Sequence, residues 1–431
     1  MRLTWVDWPA TRRSKPARTL TPAQADPYGP CRTQWLVAAD DHPQSDTLLA
    51  VLGIKLGADC VLVNMNVWTA KEITVKLVDT FKWRAIEIFY RYWQHDMGSR
   101  KAGYSVLVPV PADLPVFLEI ALRNIAKQNQ ENLVEVLVIP DVPSSSFRNI
   151  FSVVSETFES SNVRLIEMNS LDRMVGQLAN TPSTYHFLQL KNGIEASKAT
   201  HVLFHDADLF LSPGDFLRQH FMTASDKNLS VLGVNARTGR YTDDCVHLVA
   251  TWEMLATVEW LMRFQPYLHK AHKYPMLNGE LHLFDTTHYP QYLTNSEEVA
   301  SQVPNYDFVH FNQVISQFRI YCKQKTQFID DRFKLLLIRL LTDAIRNELD
   351  DNERLPKMEE LRKALSGHNS RVSYGSCKAI GNYGKFRGKM DRLLELGVLD
   401  EFAIGSISAN LEDFDRAFGW KDGRNCNPHH S

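Results

Sequence analysis

Between Tyr104 and Leu211 the chain repeatedly sets a short aliphatic, β-branched run against a stretch of helical spacing. The runs are Tyr104-Ser-Val-Leu-Val-Pro-Val110, Val134-Glu-Val-Leu-Val-Ile139, Val163-Arg-Leu-Ile166 and His201-Val-Leu-Phe204. Phe117, Ile120, Ala121, Asn124, Ile125 and Gln128 trace one helix face. Phe147, Ile150, Phe151 and Val154 trace another, behind a Ser144-Ser-Ser146 cap, and Ser183 to Ala199 form a third helix. Strands alternating with helices of this length specify βαβ units and a mainly parallel sheet. The expected fold class is therefore α/β and Rossmann-like.

The flanks read differently. Residues 1–30 hold five prolines among Arg12, Arg13, Lys15 and Arg18, and read as a flexible arm lacking the apolar core of a signal peptide. Residues 31–102 read as a small N-terminal α/β extension, with strands at Trp35–Ala39 and Cys60–Met65. A helical stripe follows: Leu77, Val78, Phe81, Ala85, Ile88, Phe89 and Tyr92, with Lys76, Lys82, Arg84 and Arg91 between. It reads as packed on its own domain, with a membrane-surface helix as the rival. Residues 103–325 read as the central α/β domain and 326–431 as a C-terminal helical region, whose stripe from Phe333 to Ile345 needs burial against that domain. Ser373 to Lys389, with Lys378, Lys385, Arg387 and Lys389 among glycines, reads as a solvated loop, with a mobile phosphate-facing loop as the rival.

Composition narrows the function. With 48 basic and 50 acidic residues among 431, the net charge of −2 gives no bulk field for nucleic acid or anionic lipid. The six cysteines include no Cys-x-x-Cys pair, which argues against a zinc knuckle or disulfide framework and fits a reducing compartment. No apolar run reaches the ~18–20 residues of a membrane span. A cytoplasmic protein is expected, with peripheral contact at the inner membrane face and homo-oligomerisation left open.

The chemistry concentrates at His201-Val-Leu-Phe-His-Asp206-Ala-Asp208-Leu-Phe-Leu211, an apolar strand ending in two carboxylates. Ligands of open α/β sheets bind at the carboxyl ends of strands. Carboxylates there suit Mg²⁺ or Mn²⁺ together with phosphate oxygens. Spacing alone says little, since Asp413-Phe-Asp415 has it too. That second pair sits in a charged helical segment and reads as a solvated face, whereas Asp206 and Asp208 follow βαβ-type units.

From Tyr104 to about Leu211 the chain resembles the nucleotide-sugar half of GT-A glycosyltransferases, especially family 2. The resemblance is carried by Ser105–Val110, by Phe117–Gln128, by Ile139-Pro-Asp-Val-Pro-Ser144, by Leu190-Lys-Asn-Gly193 and by Phe204–Leu209. It implies a metal-dependent transferase that moves a sugar from a nucleotide-diphosphate donor to a hydroxyl of a glycan or lipid-linked acceptor. By it, Asp208 is the direct metal ligand and Asp206 lies near the ribose or metal. Pro109, Val110, Asp141, Lys191 and Asn192 face the donor. The family's usual acid pair is here Pro140-Asp141, so a plain turn residue competes with base recognition at Asp141. More loosely, Asn278–Phe284 resembles the acceptor-side strand, and Asn305–His310 falls where the family places its Glu-Asp pair. An inverting enzyme needs a carboxylate there to deprotonate the acceptor. Asp307 is the first choice and Glu280 the second, with helix capping as the alternative for Asp307. His310 is a candidate metal ligand, with a local hydrogen bond at a helix start as the competing role.

Two other enzyme classes fit less well. A sugar-phosphate nucleotidyltransferase needs a glycine-rich phosphate loop after the first strand, but Pro111-Ala-Asp-Leu-Pro115 has no glycine. A haloacid-dehalogenase-type phosphatase places its Asp-x-Asp on the first strand, and here the strand is late. A catalytically silent module on the same fold is the alternative from outside enzymology.

Overall fold

The computed structural model describes residues 83–94, 98–156, 162–179, 181–234, 248–275, 281–302, 307–345, 354–367, 370–421 and 424–425. The expected arm, the strands at 35–39 and 60–65, and Glu280 lie outside these residues. The described chain opens with helix α1 (83–89). Then follow β1 (Lys101–Val110), α2 (Val116–Ala126), β2 (Leu133–Pro140), α3 (Ser145–Ser155), β3 (Val163–Leu165), α4 (Ser170–Ala179), α5 (Pro182–Ala196), β4 (Ala199–His205), β5 (Leu209–Leu211), α6 (Phe216–Asp226) and β6 (Val231–Gly233). The second half holds β7 (Glu253–Thr257), α7 (Val258–Arg263), β8 (His272–Pro275), β9 (Leu281–Phe284), α8 (His288–Leu293), β10 (Val299–Ser301), β11 (Phe308–His310) and α9 (Val314–Lys323). The chain continues with β12 (Phe328–Ile329), α10 (Lys334–Ile345), α11 (Met358–Leu365), β13 (Val372–Ser373), α12 (Ala379–Glu395) and α13 (Glu401–Phe418).

The central sheet runs β10-β6-β7-β4-β1-β2-β3. Its pairs are parallel except those that β7 makes with β4 and β6. This is the mainly parallel α/β architecture expected from the strand–helix alternation. The middle strands are buried on both faces, which explains why Val106–Val110 and Val136–Ile139 are continuous apolar runs rather than alternating ones. One face packs under α2, α6 and the C-terminal helices, through Val106, Phe117, Phe216, Leu337 and Phe414 among others. The other packs under α5 and α7, through Leu107, Ile139, Leu190, Phe204 and Trp260. Gly193 lets α5 approach this close: a Cβ there would sit 2.5 Å from Ile139 Cδ1.

Two segments differ from the sequence reading. The Ser373–Lys389 stretch is largely helical, because one face of α12 buries Tyr383, Phe386 and Met390, with Gly384 beside them and Gly381 and Gly388 away from that face. Burial of these side chains outweighs a helix-interior glycine cost of about 1 kcal/mol each. In and just after α1 the residues expected to face a core, Ile88, Phe89 and Tyr92, are exposed, while Ile86 and Tyr90 are buried. Tyr90 decides the rotation: its hydroxyl donates to Asp172 Oδ1 at 2.7 Å, and Lys191 Nζ lies 5.5 Å above its ring.

Candidate active site

At the carboxyl end of β4 the chain turns sharply, with Leu209 N–H donating to Asp206 O at 3.1 Å, and continues into β5. β5 lies antiparallel to β11, and their register sets His310 opposite Leu209, next to Asp208. His310 Nε2 is 3.3 Å from Asp208 Oδ1 and 3.8 Å from Asp206 Oδ2. One ligand atom from each residue falls within 4.8 Å of the others, the arrangement of a two-carboxylate, one-imidazole metal centre. A further feature fits a cation. His310 Nε2 is buried and faces the two carboxylates without a well-aligned hydrogen bond to either. The ring is held from behind by Trp252, with centroids 4.5 Å apart.

The two carboxylates sit in different fields. Burial pushes the Asp206 carboxyl up, and the Asp208 charge adds to this. Burial acts on Asp208 in the same direction, but His310, Lys334 and the Val314 N–H outweigh it and hold that carboxyl below the usual range. Lys334 of α10 donates to Phe311 O, and Lys389 of α12 donates to His310 O at 2.7 Å. Burial lowers the Lys334 ammonium to about 8 and moves Lys389 in the same direction. The C-terminal helices therefore bring two amines to the strand that carries His310.

In front of these residues lies a cleft of about 290 Å³. Pro109 and Val110 at the end of β1 line it, as do Asp206, Asp208 and His310. Two helices start at its wall. α5 contributes Pro182, Ser183 and His186, and is capped by the Thr181 hydroxyl accepting from Thr184 N–H. α9 contributes Val314, Ile315 and Ser316, and Val314 N–H points at Asp208 Oδ2 at 3.5 Å. Asn312 and Gln313, which lead into α9, both have left-handed φ values of 54° and 61°. Unpaired N–H groups and the positive end of the helix dipole make such starts favourable for anions. Asp285 and Thr286, just after β9, also line the cleft.

A neighbouring cavity of about 410 Å³ shares Pro182 and Arg319 with the cleft and contains Asp113, Asp141 and Tyr185. Asp141 lies at the end of β2, where the sequence placed donor recognition. Its carboxylate accepts from Ala112 N–H at 2.9 Å and Val142 N–H at 2.8 Å and pairs with Arg319.

Other expected site residues lie elsewhere. Lys191 is fully buried, 2.9 Å from Glu195 Oε2 and 3.5 Å from Asp172 Oδ2. Asn192 donates to Asp172 Oδ2 and Leu188 O, both at 2.7 Å. Their partners are internal, and neither residue lines the cleft, so the expected donor contact gives way to a buried polar network behind α5. The side chain of Asp307 is 81% exposed and 3.5 Å from Arg392, outside the cleft lining. Asp413 pairs with Arg362, and Asp415 accepts from Tyr383 and Arg387, so both serve helix packing. The sequence reading passed over His186, Trp252, Asp285 and Arg319. Only the Thr181-Pro182 helix start carried a local signal for its part of the cleft.

No protein-family model matches the chain, and no curated protein matches it. Solved structures do. The mannosyltransferase PcManGT from Pyrobaculum calidifontis, in complex with GDP-Man and Mn²⁺, is 14% identical, over 80% of this chain and 97% of that one, with a TM-score of 0.34. The galactosyltransferase LgtC, with donor and acceptor sugar analogues, is 12% identical, over 70% of this chain and 99% of that one, with a TM-score of 0.33. An active-site mutant of LgtC matches at 15% identity and a TM-score of 0.31, over 38% of this chain and 61% of that one.

Proposed function

We propose that the protein transfers a sugar from a nucleoside-diphosphate sugar to a hydroxyl of a glycan or lipid-linked acceptor. The observation that carries this reading is the convergence of Asp206, Asp208 and the buried His310 Nε2 with the first turn of α9 in one cleft. Asp206, Asp208 and His310 would hold Mn²⁺ or Mg²⁺, which supplies Lewis-acid neutralisation of a departing diphosphate. The protein's own groups complement that charge. The N-termini of α5 and α9 face the cleft, and Lys334 and Lys389 stand behind its metal-binding strand. The adjoining cavity with Asp141, Tyr185 and Arg319 is where the nucleoside would extend.

In the transfer, the acceptor oxygen bonds to the anomeric carbon as that carbon's bond to the diphosphate breaks. The nucleoside diphosphate leaves with the bonding electrons, and the acceptor proton passes to a base. For an inverting reaction that base has to stand in the cleft. Among the described residues Asp285 is the carboxylate lining it besides the two at the metal position, and it takes this role in place of Asp307.

Titration of UDP and GDP into the purified protein, with and without Mn²⁺, tests the reading. Mn²⁺ should tighten binding at least tenfold, and Asp208→Asn should abolish the tightening. A folded protein that binds neither nucleotide in Mn²⁺ would sink the proposal. A hydrolysis screen across nucleotide sugars then identifies the donor.

A further inference from the structure

A second cavity, of about 600 Å³, lies against the same histidine. It shares Trp252, His310, Asn312 and Gln313 with the donor cleft, so a ligand there lies beside the metal-binding residues. Phe308 and Trp252 form an aromatic wall, with ring centroids 5.4 Å apart. The charged residues lining it are Lys389 and Arg392, three apart on α12, and no carboxylate lines it among the described residues.

Both cations are anchored by their strand-side contacts. Lys389 Nζ donates to His310 O at 2.7 Å, and Arg392 Nη2 donates to Phe308 O at 3.1 Å. Each of these bonds uses one donor, and an ammonium or guanidinium has others. Arg392 pairs with Asp307, 3.5 Å away and largely in solvent, and exposed pairs of this kind contribute little; Lys389 also feels the Asp208 charge, so Arg392 is the cation more open to a new partner. An anion entering the cavity would therefore displace a weak partner and meet two pre-placed cations. Guanidinium favours planar two-point contact with carboxylate or phosphate.

We propose that this cavity is the acceptor subsite and that it selects an acceptor bearing an anionic group, phosphate or carboxylate. That group pairs with Arg392 and Lys389, while the acceptor hydroxyl reaches past His310 to the anomeric carbon. The inference rests on the donor reading above and adds the charge class of the acceptor to it.

The test uses the full chain preloaded with saturating nucleoside diphosphate and Mn²⁺, so that the donor-side anion positions are filled. Methyl glucoside, its 6-phosphate and methyl glucuronoside are then titrated by calorimetry. At least one anionic glycoside should bind tenfold or more tightly than the neutral one, and the comparison of the two separates phosphate from carboxylate. Arg392→Gln, an exposed helix position, should remove most of that difference while nucleotide affinity holds. Equal affinity for all three glycosides, or no binding of any, overturns the subsite. So does an Arg392→Gln protein whose nucleotide affinity falls as much as its glycoside affinity, since the cation would then belong to the donor. Absence of nucleotide binding in the preloading step sinks the donor assignment itself, a separate failure read before any glycoside is added.

Discussion

The imidazole of His310 lies against the indole of Trp252, with centroids 4.5 Å apart and planes at 34°. The same tryptophan accepts the Asp206 N–H on its carbonyl at 3.0 Å. One residue ahead of β7 thus positions a ring through its side chain and a carboxylate through its backbone.

Trp252→Leu keeps the backbone bond and removes the wall behind the imidazole. Mn²⁺ affinity should fall about 10–100-fold, the usual cost of losing a group that orients a metal ligand. Paramagnetic resonance titration of Mn²⁺ without nucleotide measures this directly. An unchanged affinity would mean that the β5–β11 pairing alone holds the ring.

Asp285 and Asp307 make opposite forecasts. Asp285→Asn should lower transfer by about 10²–10⁴-fold, the range for a lost general base, with nucleotide affinity within a few-fold of the parent. Asp307→Asn should leave kcat within about twofold, as expected of a solvent-facing carboxylate. Steady-state kinetics of both variants on one donor and acceptor decides between them, and the reverse pattern would restore Asp307 as the base.

Much of the fold was legible because a parallel strand buried on both faces has no polar alternation to obscure it. Val106–Val110 and Val136–Ile139 show this plainly. Asp206 and Asp208 were legible for the same reason, as a polar interruption at the end of such a strand. Lys191 and Asn192 misled because a buried polar network looks, in one dimension, like a ligand-facing motif. Asp172, which binds both, is some twenty residues away in α4. Asp285, after the β8–β9 hairpin, and Trp252, ahead of β7, reach the cleft only through tertiary packing and carry no local pattern of their own. The exposed face of α1 was misassigned because periodicity shows that a stripe exists and not which neighbour turns it.

The Lys191 network gives a stability forecast. Lys191→Met strands Asp172 and Glu195, both buried, without their shared cation. Removing one partner of a buried ion pair costs about 3–5 kcal/mol. Denaturant unfolding should show that loss, while Mn²⁺-dependent nucleotide binding at low temperature stays near the parent value. Loss of nucleotide affinity at retained stability would return Lys191 to the donor site.

Asp330 predicts a pH dependence. Its carboxylate caps α10, accepting from the backbone N–H groups of Lys334, Leu335 and Leu336. Burial nevertheless pushes it up to about 7, against those bonds and the Lys334 charge. Between the ordinary carboxylate range near 4 and about 7 the folded protein binds a proton that the unfolded chain has released. Stability therefore falls as pH rises through that window, by a contribution on the order of a few kcal/mol. Asp330→Asn keeps one capping oxygen and cannot titrate. Melting temperatures from pH 4 to 8 should decline more steeply for the parent than for the variant, and parallel curves would refute the assignment.

The short pairing of β5 with β11 has a consequence for the chain's history in a cell or a test tube. It joins two of the proposed metal ligands, from the first half of the described chain, to the third, from the second half. A backbone nick between β6 and β7 would leave each fragment with an incomplete ligand set. Reassembly of co-expressed halves would then become an association driven partly by metal, dissolving on chelation. The same clasp makes the site a late product of synthesis, because a nascent chain can close it only after His310 has left the ribosome.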